Sequence, residues 1–211
     1  MQIISHRGYW SNLNDRNTCV AFDKSFDLGF GTETDIRDFC GELVISHDPP
    51  QEIGLSARTF FELYRKYNSN LPLALNIKAD GLQDVLASLL KKIEIDNYFV
   101  FDMAIPDALI YIQKGLKVFT RQSEYEKDPA FYDCAAGVWI DCFHSEWVTV
   151  DVIDKHLKNG KKVCLVSPEL HKRQYEQFWT TLRSMNVVEN DQLILCTDNP
   201  EKAREFFYGK D

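Results

Sequence analysis

Two carboxylates stand where the sequence otherwise predicts a buried strand. Glu33 and Asp35 lie in the stretch GTETDIR, residues 31–37, and residues two apart in a strand point to the same face. Isolated charges on a buried face cost on the order of several kcal/mol. The pair therefore favours a functional site at this point of the chain over ordinary surface or core.

Other polar residues lie at the ends of the predicted strands, and they include acidic, basic and cationic side chains. These residues are His6, Arg7, His47, Asp48, Asn76, Lys78, Asp102, Arg121, Asp141, Ser167, Glu169, Thr197 and Asp198. Two histidines, each beside a charged neighbour at a strand end, favour a functional role for both. Asp102, Asp141 and Asp198, taken singly, are better explained as helix caps or ion-pair partners. The remaining histidines, His144, His156 and His171, are interpreted as surface residues.

The elements that position these residues alternate regularly between apolar strands and amphipathic helices. Eight core strands are predicted to begin near residues 2, 31, 71, 98, 117, 137, 162 and 192, each followed by a helix. This alternation predicts an α/β fold, a (β/α)8 TIM barrel in a single compact domain spanning residues 1–211. In such a barrel the polar strand ends meet on one face. A doubly wound open sheet is the alternative, because periodicity does not prove closure.

The composition excludes some functions. The 211 residues include 24 Lys and Arg against 32 Asp and Glu, a net charge of −8, so we expect no nucleic-acid partner. An anionic substrate would need local cations or a metal. Six scattered cysteines without CxxC spacing, the absence of a signal-like start in MQIISHRG and the lack of an apolar run of about 18–20 residues predict a cytoplasmic protein without a transmembrane segment.

An ordered set of short motifs carries a resemblance to a known family. HRG at 6–8, NT at 17–18, ETD at 33–35, HD at 47–48, NIK at 76–78 and TDNP at 197–200 occur in this order. Together they resemble the glycerophosphodiester phosphodiesterase family. No single motif is specific, and the middle of the chain is matched only by its strand and helix alternation.

The resemblance implies a (β/α)8 barrel that hydrolyses a small-molecule phosphodiester with a divalent metal, Mg²⁺ or Ca²⁺. By position, His6 and His47 would be the general acid and base, and Glu33 and Asp35 would bind the metal. Arg7 would hold the phosphate, and Lys78 would lie near the leaving oxygens. Lys78 and, from its place at the end of the fifth strand, Arg121 are further candidates for phosphate binding. Which histidine donates and which accepts the proton is left open by the sequence.

Two positions depart from the family pattern. Arg16 stands where the family usually has Glu before Asn-Thr, and Asn76 stands where it has an acid. An Asn side chain still offers an amide oxygen to Mg²⁺ or Ca²⁺, so Asn76 is expected to complete the metal site with one negative charge fewer. Arg16 indicates either additional phosphate binding or a different head group.

Two other functions fit the same residues. A neighbouring substrate hydroxyl could attack the phosphorus and give a cyclic phosphate, as in a phospholipase-like lyase. Alternatively, the barrel could bind a phosphorylated metabolite without turnover, which only the changes at Arg16 and Asn76 favour.

Overall fold

The computed structural model describes residues 1–67 and 70–209. Within them the strands are β1 Gln2–His6, β2 Gly31–Phe39, β3 Glu42–Ile45, β4 Leu73–Ile77, β5 Tyr98–Phe101, β6 Phe119–Gln122, β7 Gly137–Ile140, β8 Lys162–Val166 and β9 Leu193–Thr197. The helices are α1 Cys19–Asp27, α2 Ala57–Tyr64, α3 Gln83–Ile93, α4 Ile105–Gln113, α5 Val150–Lys158, α6 Glu176–Ser184 and α7 Pro200–Tyr208.

The predicted alternation is confirmed. All eight predicted core strands are present and begin within two residues of the predicted positions, while β3 is a short additional strand after β2. An α-helix follows each core strand except β6, which is followed by a single 3₁₀ turn at Tyr132–Cys134. The predicted short helical stretch after β6 is therefore only one turn long.

The chain divides into two compact units, one formed by Ser5–Val118 and the other by Met1–Ile4 with Phe119–Asp211. In the first unit β2 pairs with β4 and β4 with β5, all parallel, and β3 pairs antiparallel with β2 through Ile36 and Ile45. In the second unit β6, β7, β8 and β9 form a parallel sheet in chain order.

The core of the first unit lies between its sheet and its helices. Phe22 of α1 packs edge-on against Phe60 of α2 at 4.6 Å between ring centroids. Ser56 caps α2 as predicted, because its hydroxyl accepts a hydrogen bond from the Thr59 N–H at 3.1 Å. The Val20 and Val85 side chains, which the helical spacing assigns to the apolar faces of α1 and α3, are instead 75% and 51% exposed.

Two further observations concern the whole described chain. Among residues 1–67 and 70–209, no helix combines the length and apolar character required to cross a membrane. The six cysteines are thiols; Cys142, Cys164 and Cys196 are buried, and Cys19, Cys40 and Cys134 are exposed.

Candidate active site

The two carboxylates of the ETD motif point into the protein from the first half of β2. Glu33 is 1% and Asp35 0% exposed. Asp35 is directly opposite Asn76 in the parallel pairing of β2 with β4. Because side chains alternate across a sheet, register and spacing place Glu33, Asp35 and Asn76 on one face. The three residues predicted to bind a metal are therefore brought together.

Three buried oxygen atoms of this group have no hydrogen-bond partner: Oε2 of Glu33, Oδ1 of Asp35 and Oδ1 of Asn76. Buried polar atoms are nearly always hydrogen-bonded, so three unsatisfied oxygens on neighbouring side chains require an explanation. Burial first, and the Asp35 charge second, raise the pKa of Glu33 to about 8, although Arg7, Lys78 and a hydrogen bond from Asn76 oppose the rise. Arg7 and Lys78 therefore do not fully offset the cost of burying the two carboxylates.

The donor set fits a hard divalent cation. Carboxylate and amide oxygens are the ligands that Mg²⁺ and Ca²⁺ prefer. The described part of the chain contains no cluster of three or more His, Cys, Asp or Glu residues that could hold a metal. A metal at this point would therefore depend on two carboxylates and the Asn76 amide, as the sequence predicts.

Two cations surround Asp35. Arg7 Nε lies 2.9 Å from Asp35 Oδ2, and Lys78 Nζ lies 3.8 Å from Asp35 Oδ1. Lys78 also donates to Asp102 Oδ2 at 3.1 Å, which confirms Asp102 as an ion-pair partner. Arg7 and Lys78 thus both lie beside Asp35, so an anionic group bound at this point could contact both cations.

Asn17 is a site residue for which the sequence pattern predicted no role beyond its place in the NT motif. Its Nδ2 donates to Asp35 Oδ2 at 2.9 Å, and its Oδ1 accepts from the Thr34 hydroxyl at 2.9 Å. The backbone of Asn17 is left-handed, with φ of 58°, a conformation that Asn tolerates better than most residues. The sequence signal that could have identified Asn17 is its position immediately before Thr18, the N-cap of α1.

The backbone of the site is strained at several points. Arg7, Asn17 and Asp102 have φ values of 59°, 58° and 73°. Such conformations cost about 1–3 kcal/mol each for residues other than Gly and concentrate at functional sites. Gly8 has φ of 82°, and a Cβ there would lie 2.6 Å from the Cβ of Ala21. The Gly of the HRG motif is therefore required by both conformation and space.

The two predicted catalytic histidines have different surroundings. His6 ends β1, is largely buried, and has its Nε2 3.9 Å from Glu33 Oε2. His47 follows β3, is about half exposed, and its Nδ1 lies 2.8 Å from Asp48 Oδ1. The preceding residue, Ser46, donates its N–H to the Asp35 carbonyl at 3.1 Å, so the backbone holds His47 next to the carboxylate strand.

Arg121 lies in the other unit. Its Nε is 2.9 Å from Glu126 Oε2. Two more strand ends of that unit carry polar pairs: His171 Nε2 lies 2.9 Å from Asp141 Oδ1, and the Ser167 hydroxyl donates to Glu169 at 2.5 Å. These groups hold one another, and the role of Arg121 in phosphate binding stays a prediction.

The interpretation of His156 as a surface residue is wrong. His156 is buried, with 2% of its surface exposed. Its Nδ1 lies 2.9 Å from the Tyr132 hydroxyl, and its Nε2 lies 2.8 Å from Gln122 Oε1. Burial, followed by the charge of Lys155, lowers the pKa of His156. Its polar partners come from the 3₁₀ turn and β6, which the sequence pattern did not connect to α5.

A groove of about 590 Å³ lies elsewhere in the first unit, lined by residues of β3, α2 and α3 that include Arg58, Val85 and Lys92. None of the predicted site residues lines it. Its walls are formed by β3, α2 and α3, whereas the unsatisfied buried oxygens belong to residues of β2 and β4. These strand residues, and not this groove, have the chemistry of an active site.

No family model and no curated protein sequence matches the chain. Solved structures do. A candidate glycerophosphodiester phosphodiesterase from Galdieria sulphuraria is 18% identical with a TM-score of 0.76, over 98% of this chain and 97% of that one. The glycerophosphodiester phosphodiesterase from Thermotoga maritima is 16% identical with a TM-score of 0.68, over 96% of both chains.

A third similar structure is a phosphodiesterase from Oleispira antarctica in complex with the product sn-glycerol-3-phosphate. It is 16% identical with a TM-score of 0.67, over 98% of this chain and 96% of that one. A Ca²⁺-dependent phosphatidylinositol-specific phospholipase C from Streptomyces antibioticus is more distant, at 9% identity and a TM-score of 0.60, over 99% and 98% of the two chains. At these identities the likeness establishes the fold: the chain has the (β/α)8 barrel fold of glycerophosphodiester phosphodiesterases, as the motifs predicted.

Proposed function

We propose that this protein is a metal-dependent phosphodiesterase that hydrolyses glycerophosphodiester-type substrates to an alcohol and a phosphomonoester. The observation that carries the proposal is the group of three buried oxygens without hydrogen bonds, on Glu33, Asp35 and Asn76. Two cations, Arg7 and Lys78, lie beside them. The fold shared with glycerophosphodiester phosphodiesterases supports the same reaction class. We further propose that residues 1–211 act as one domain.

Glu33, Asp35 and Asn76 would hold Mg²⁺ or Ca²⁺. When bound, a divalent ion supplies charge neutralisation at a phosphate oxygen and orientation of the attacking hydroxyl or water. Asp35 is kept in place by the Arg7 guanidinium and by the Asn17 amide, each at 2.9 Å. This support fixes the direction of its other oxygen, Oδ1, which is one of the unsatisfied three.

Arg7 and Lys78 are proposed to bind the phosphate. A guanidinium gives a phosphate two parallel charge-assisted hydrogen bonds, while an ammonium acts as a point charge. The ion pair between Arg7 Nε and Asp35 orients the guanidinium, and the pairing of Lys78 with Asp102 at 3.1 Å limits where its ammonium can lie. Both side chains are therefore held before the substrate arrives, which lowers the entropy cost of binding.

His6 and His47 are proposed as the acid–base pair. An imidazole has an ordinary pKa near 6.5, so one ring can accept a proton from the nucleophile while the other donates one to the leaving alkoxide. Asp48 accepts from Nδ1–H of His47 in the tautomer that leaves Nε2 to exchange the proton. Glu33 Oε2 lies 3.9 Å from His6 Nε2, which places the His6 ring beside the proposed metal ligands.

The reaction is tested by incubating purified protein with glycerophosphodiesters and Mg²⁺ or Ca²⁺ and following the products by phosphorus NMR. We expect a phosphomonoester, loss of activity with chelator and recovery on adding the metal back. Absence of turnover on every diester tried, together with measurable binding of the phosphomonoester, would support the non-catalytic alternative.

A cyclising route is the second candidate, and the fold shared with the phosphatidylinositol-specific phospholipase C favours it. It would use the same acid and base but take the nucleophile from a neighbouring substrate hydroxyl. The phosphorus spectrum separates the routes, because an accumulating cyclic phosphate has its own resonance.

The six thiols, three of them exposed, support a proposed location in the cytoplasm.

A further inference from the structure

We propose that Asp102 is a positioning residue that holds Lys78 and thereby keeps Asp35 Oδ1 available to a divalent cation. Lys78 and the divalent cation compete for this oxygen, and Asp102 is the alternative partner of the lysine. The inference rests on the metal site of the proposed function and adds to it a residue that controls metal affinity.

The two carboxylate oxygens of Asp35 have different surroundings. Oδ2 lies 2.9 Å from Arg7 Nε and accepts a hydrogen bond from Asn17 Nδ2 at 2.9 Å. Oδ1 is buried and has no hydrogen bond, and Lys78 Nζ lies 3.8 Å from it. An ammonium at this distance attracts the carboxylate without satisfying the oxygen atom. Oδ1 is therefore the oxygen for which a bound cation and Lys78 would compete.

Lys78 already offsets part of the charge that a metal would neutralise. Its ammonium is, after Arg7, one of the two cations that oppose the rise in the pKa of Glu33. A divalent ion on Glu33 and Asp35 would repel this ammonium, and the repulsion is strong in a buried site because water screens it little. Metal binding is therefore favoured when Lys78 has another anionic partner.

Asp102 is placed to be that partner. Lys78 Nζ donates to Asp102 Oδ2 at 3.1 Å, a hydrogen-bond distance that its 3.8 Å separation from Asp35 exceeds. Lys78 follows β4 and Asp102 follows β5, and the two strands are paired with Asn76 opposite Phe101. The backbone of Asp102 is left-handed, with φ of 73°, which favours Gly over residues with a side chain. A carboxylate at this position is consistent with a use for its charge.

The test is a double-mutant cycle on metal affinity, measured by calorimetric titration of the metal-free protein with Mg²⁺ and with Ca²⁺. Asp102→Asn should weaken metal binding about tenfold, because Lys78 then stays at Asp35. Lys78→Met should strengthen metal binding, although it should lower kcat/KM for a diester because a proposed phosphate-binding residue is lost. When Lys78→Met is already present, adding Asp102→Asn should change the affinity by about threefold or less.

Two controls separate this role from a structural one. Asp102→Gly also removes the carboxylate but suits a φ of 73°, so it should keep the thermal midpoint close to that of the wild type and still weaken metal binding. Asp84→Asn removes the same charge from an exposed pair with Lys114, at 2.5 Å, and should leave the metal affinity unchanged.

The outcomes distinguish this inference from the proposed function. An equal loss of affinity from Asp102→Asn with and without Lys78, or no loss in either protein, would overturn the inference while the metal site stands. If the wild type binds no metal, binding that appears in Lys78→Met and persists in the double variant supports the competition. No binding by any of the four proteins overturns it. The predicted affinities in a protein that hydrolyses no diester would keep the inference although the catalytic proposal fails.

Discussion

Glu33 is fully buried and Glu169 is partly buried, yet their surroundings are opposite. Glu169 accepts hydrogen bonds from the Ser167 and Thr197 hydroxyls and from the Asp198 N–H. Glu33 Oε2 has no hydrogen bond, and His6 Nε2 lies 3.9 Å away. Burial raises the pKa of both acids, so the pKa shift alone does not distinguish a structural carboxylate from a functional one. The hydrogen bonds of the two carboxylates do distinguish them, because an external ligand is needed only for an oxygen atom that has no hydrogen-bond partner within the protein.

The largest effects on activity and stability are expected when Glu33 and Glu169 are each replaced by Gln. Glu33→Gln should lower kcat/KM by roughly a thousandfold or more, since it removes a proposed metal ligand. The same change should raise the thermal midpoint of the metal-free protein near neutral pH, because the wild-type acid must take up a proton to be buried without a partner. Glu169→Gln should instead destabilise the protein by about 1–3 kcal/mol, since its donors lose a charged acceptor.

The pH dependence of stability sharpens this contrast. Glu33 has a pKa of about 8 in the folded protein against an ordinary value of 4.5, so the native state binds more protons between these values. Stability of the metal-free wild type should therefore fall as pH rises from about 4.5 to 8. Thermal melts in chelator should show a smaller fall for Glu33→Gln. Identical slopes for the two proteins would contradict a buried, unpartnered Glu33.

The histidines are expected to give the next largest effect. His6→Ala and His47→Ala should each lower kcat by about 10²–10⁴, the usual contribution of a positioned general acid or base. His144→Ala, an exposed histidine of the other unit, is the control and should keep the wild-type rate. Steady-state kinetics with circular dichroism of each variant separates catalysis from folding. A near-normal rate in both His6→Ala and His47→Ala would exclude the acid–base assignment.

Asn76 allows the metal site to be strengthened as well as weakened. Asn76→Asp adds a third carboxylate without changing volume, so the affinity for Mg²⁺ or Ca²⁺ should rise on the order of tenfold. Asn76→Leu, the matched variant without an oxygen ligand, should lower it. Calorimetric metal titration of both variants measures the change. Unchanged affinity in both would show that the Asn76 amide oxygen is not a ligand.

The smallest effect is expected at His156, a buried imidazole with both nitrogens partnered. Because burial and Lys155 lower its pKa in the folded protein, the unfolded state binds more protons near the ordinary pKa of about 6.5. Stability from this group should be present above pH 6.5 and be lost as pH falls below it. His156→Gln should reduce the pH dependence between about pH 5 and 6.5, measured by denaturant unfolding. An unchanged slope would contradict this account of His156.

The sequence predicted the fold because each strand and helix has its own local signal. The strand starts follow from apolar runs, and the Ser56 cap from a Ser before an amphipathic segment. The carboxylate pair on β2 follows from the two-residue period of a strand. What failed depends on contacts between distant segments: the Tyr132 and Gln122 partners of His156 lie more than 20 residues away.

The side-chain contacts of Asn17 and Arg16 could not be predicted from the sequence for the same reason. Asn17 contacts Asp35 from 18 residues away, and Arg16 stacks on Trp10 within an irregular loop that has no periodic pattern. Asn199 shows a further limit: α7 begins at Pro200 as predicted, but the Asn199 side chain makes no capping hydrogen bond. Local signals locate an element, while side-chain partners depend on the folded arrangement.

The most direct test of the account is a crystal of the protein soaked with Mn²⁺ or Ca²⁺. Anomalous density is expected within coordination distance of Glu33 Oε2, Asp35 Oδ1 and Asn76 Oδ1, the three buried oxygens without hydrogen bonds. Density at another position, or none there in a preparation that hydrolyses glycerophosphodiesters, would contradict the proposal that these oxygens await a divalent ion.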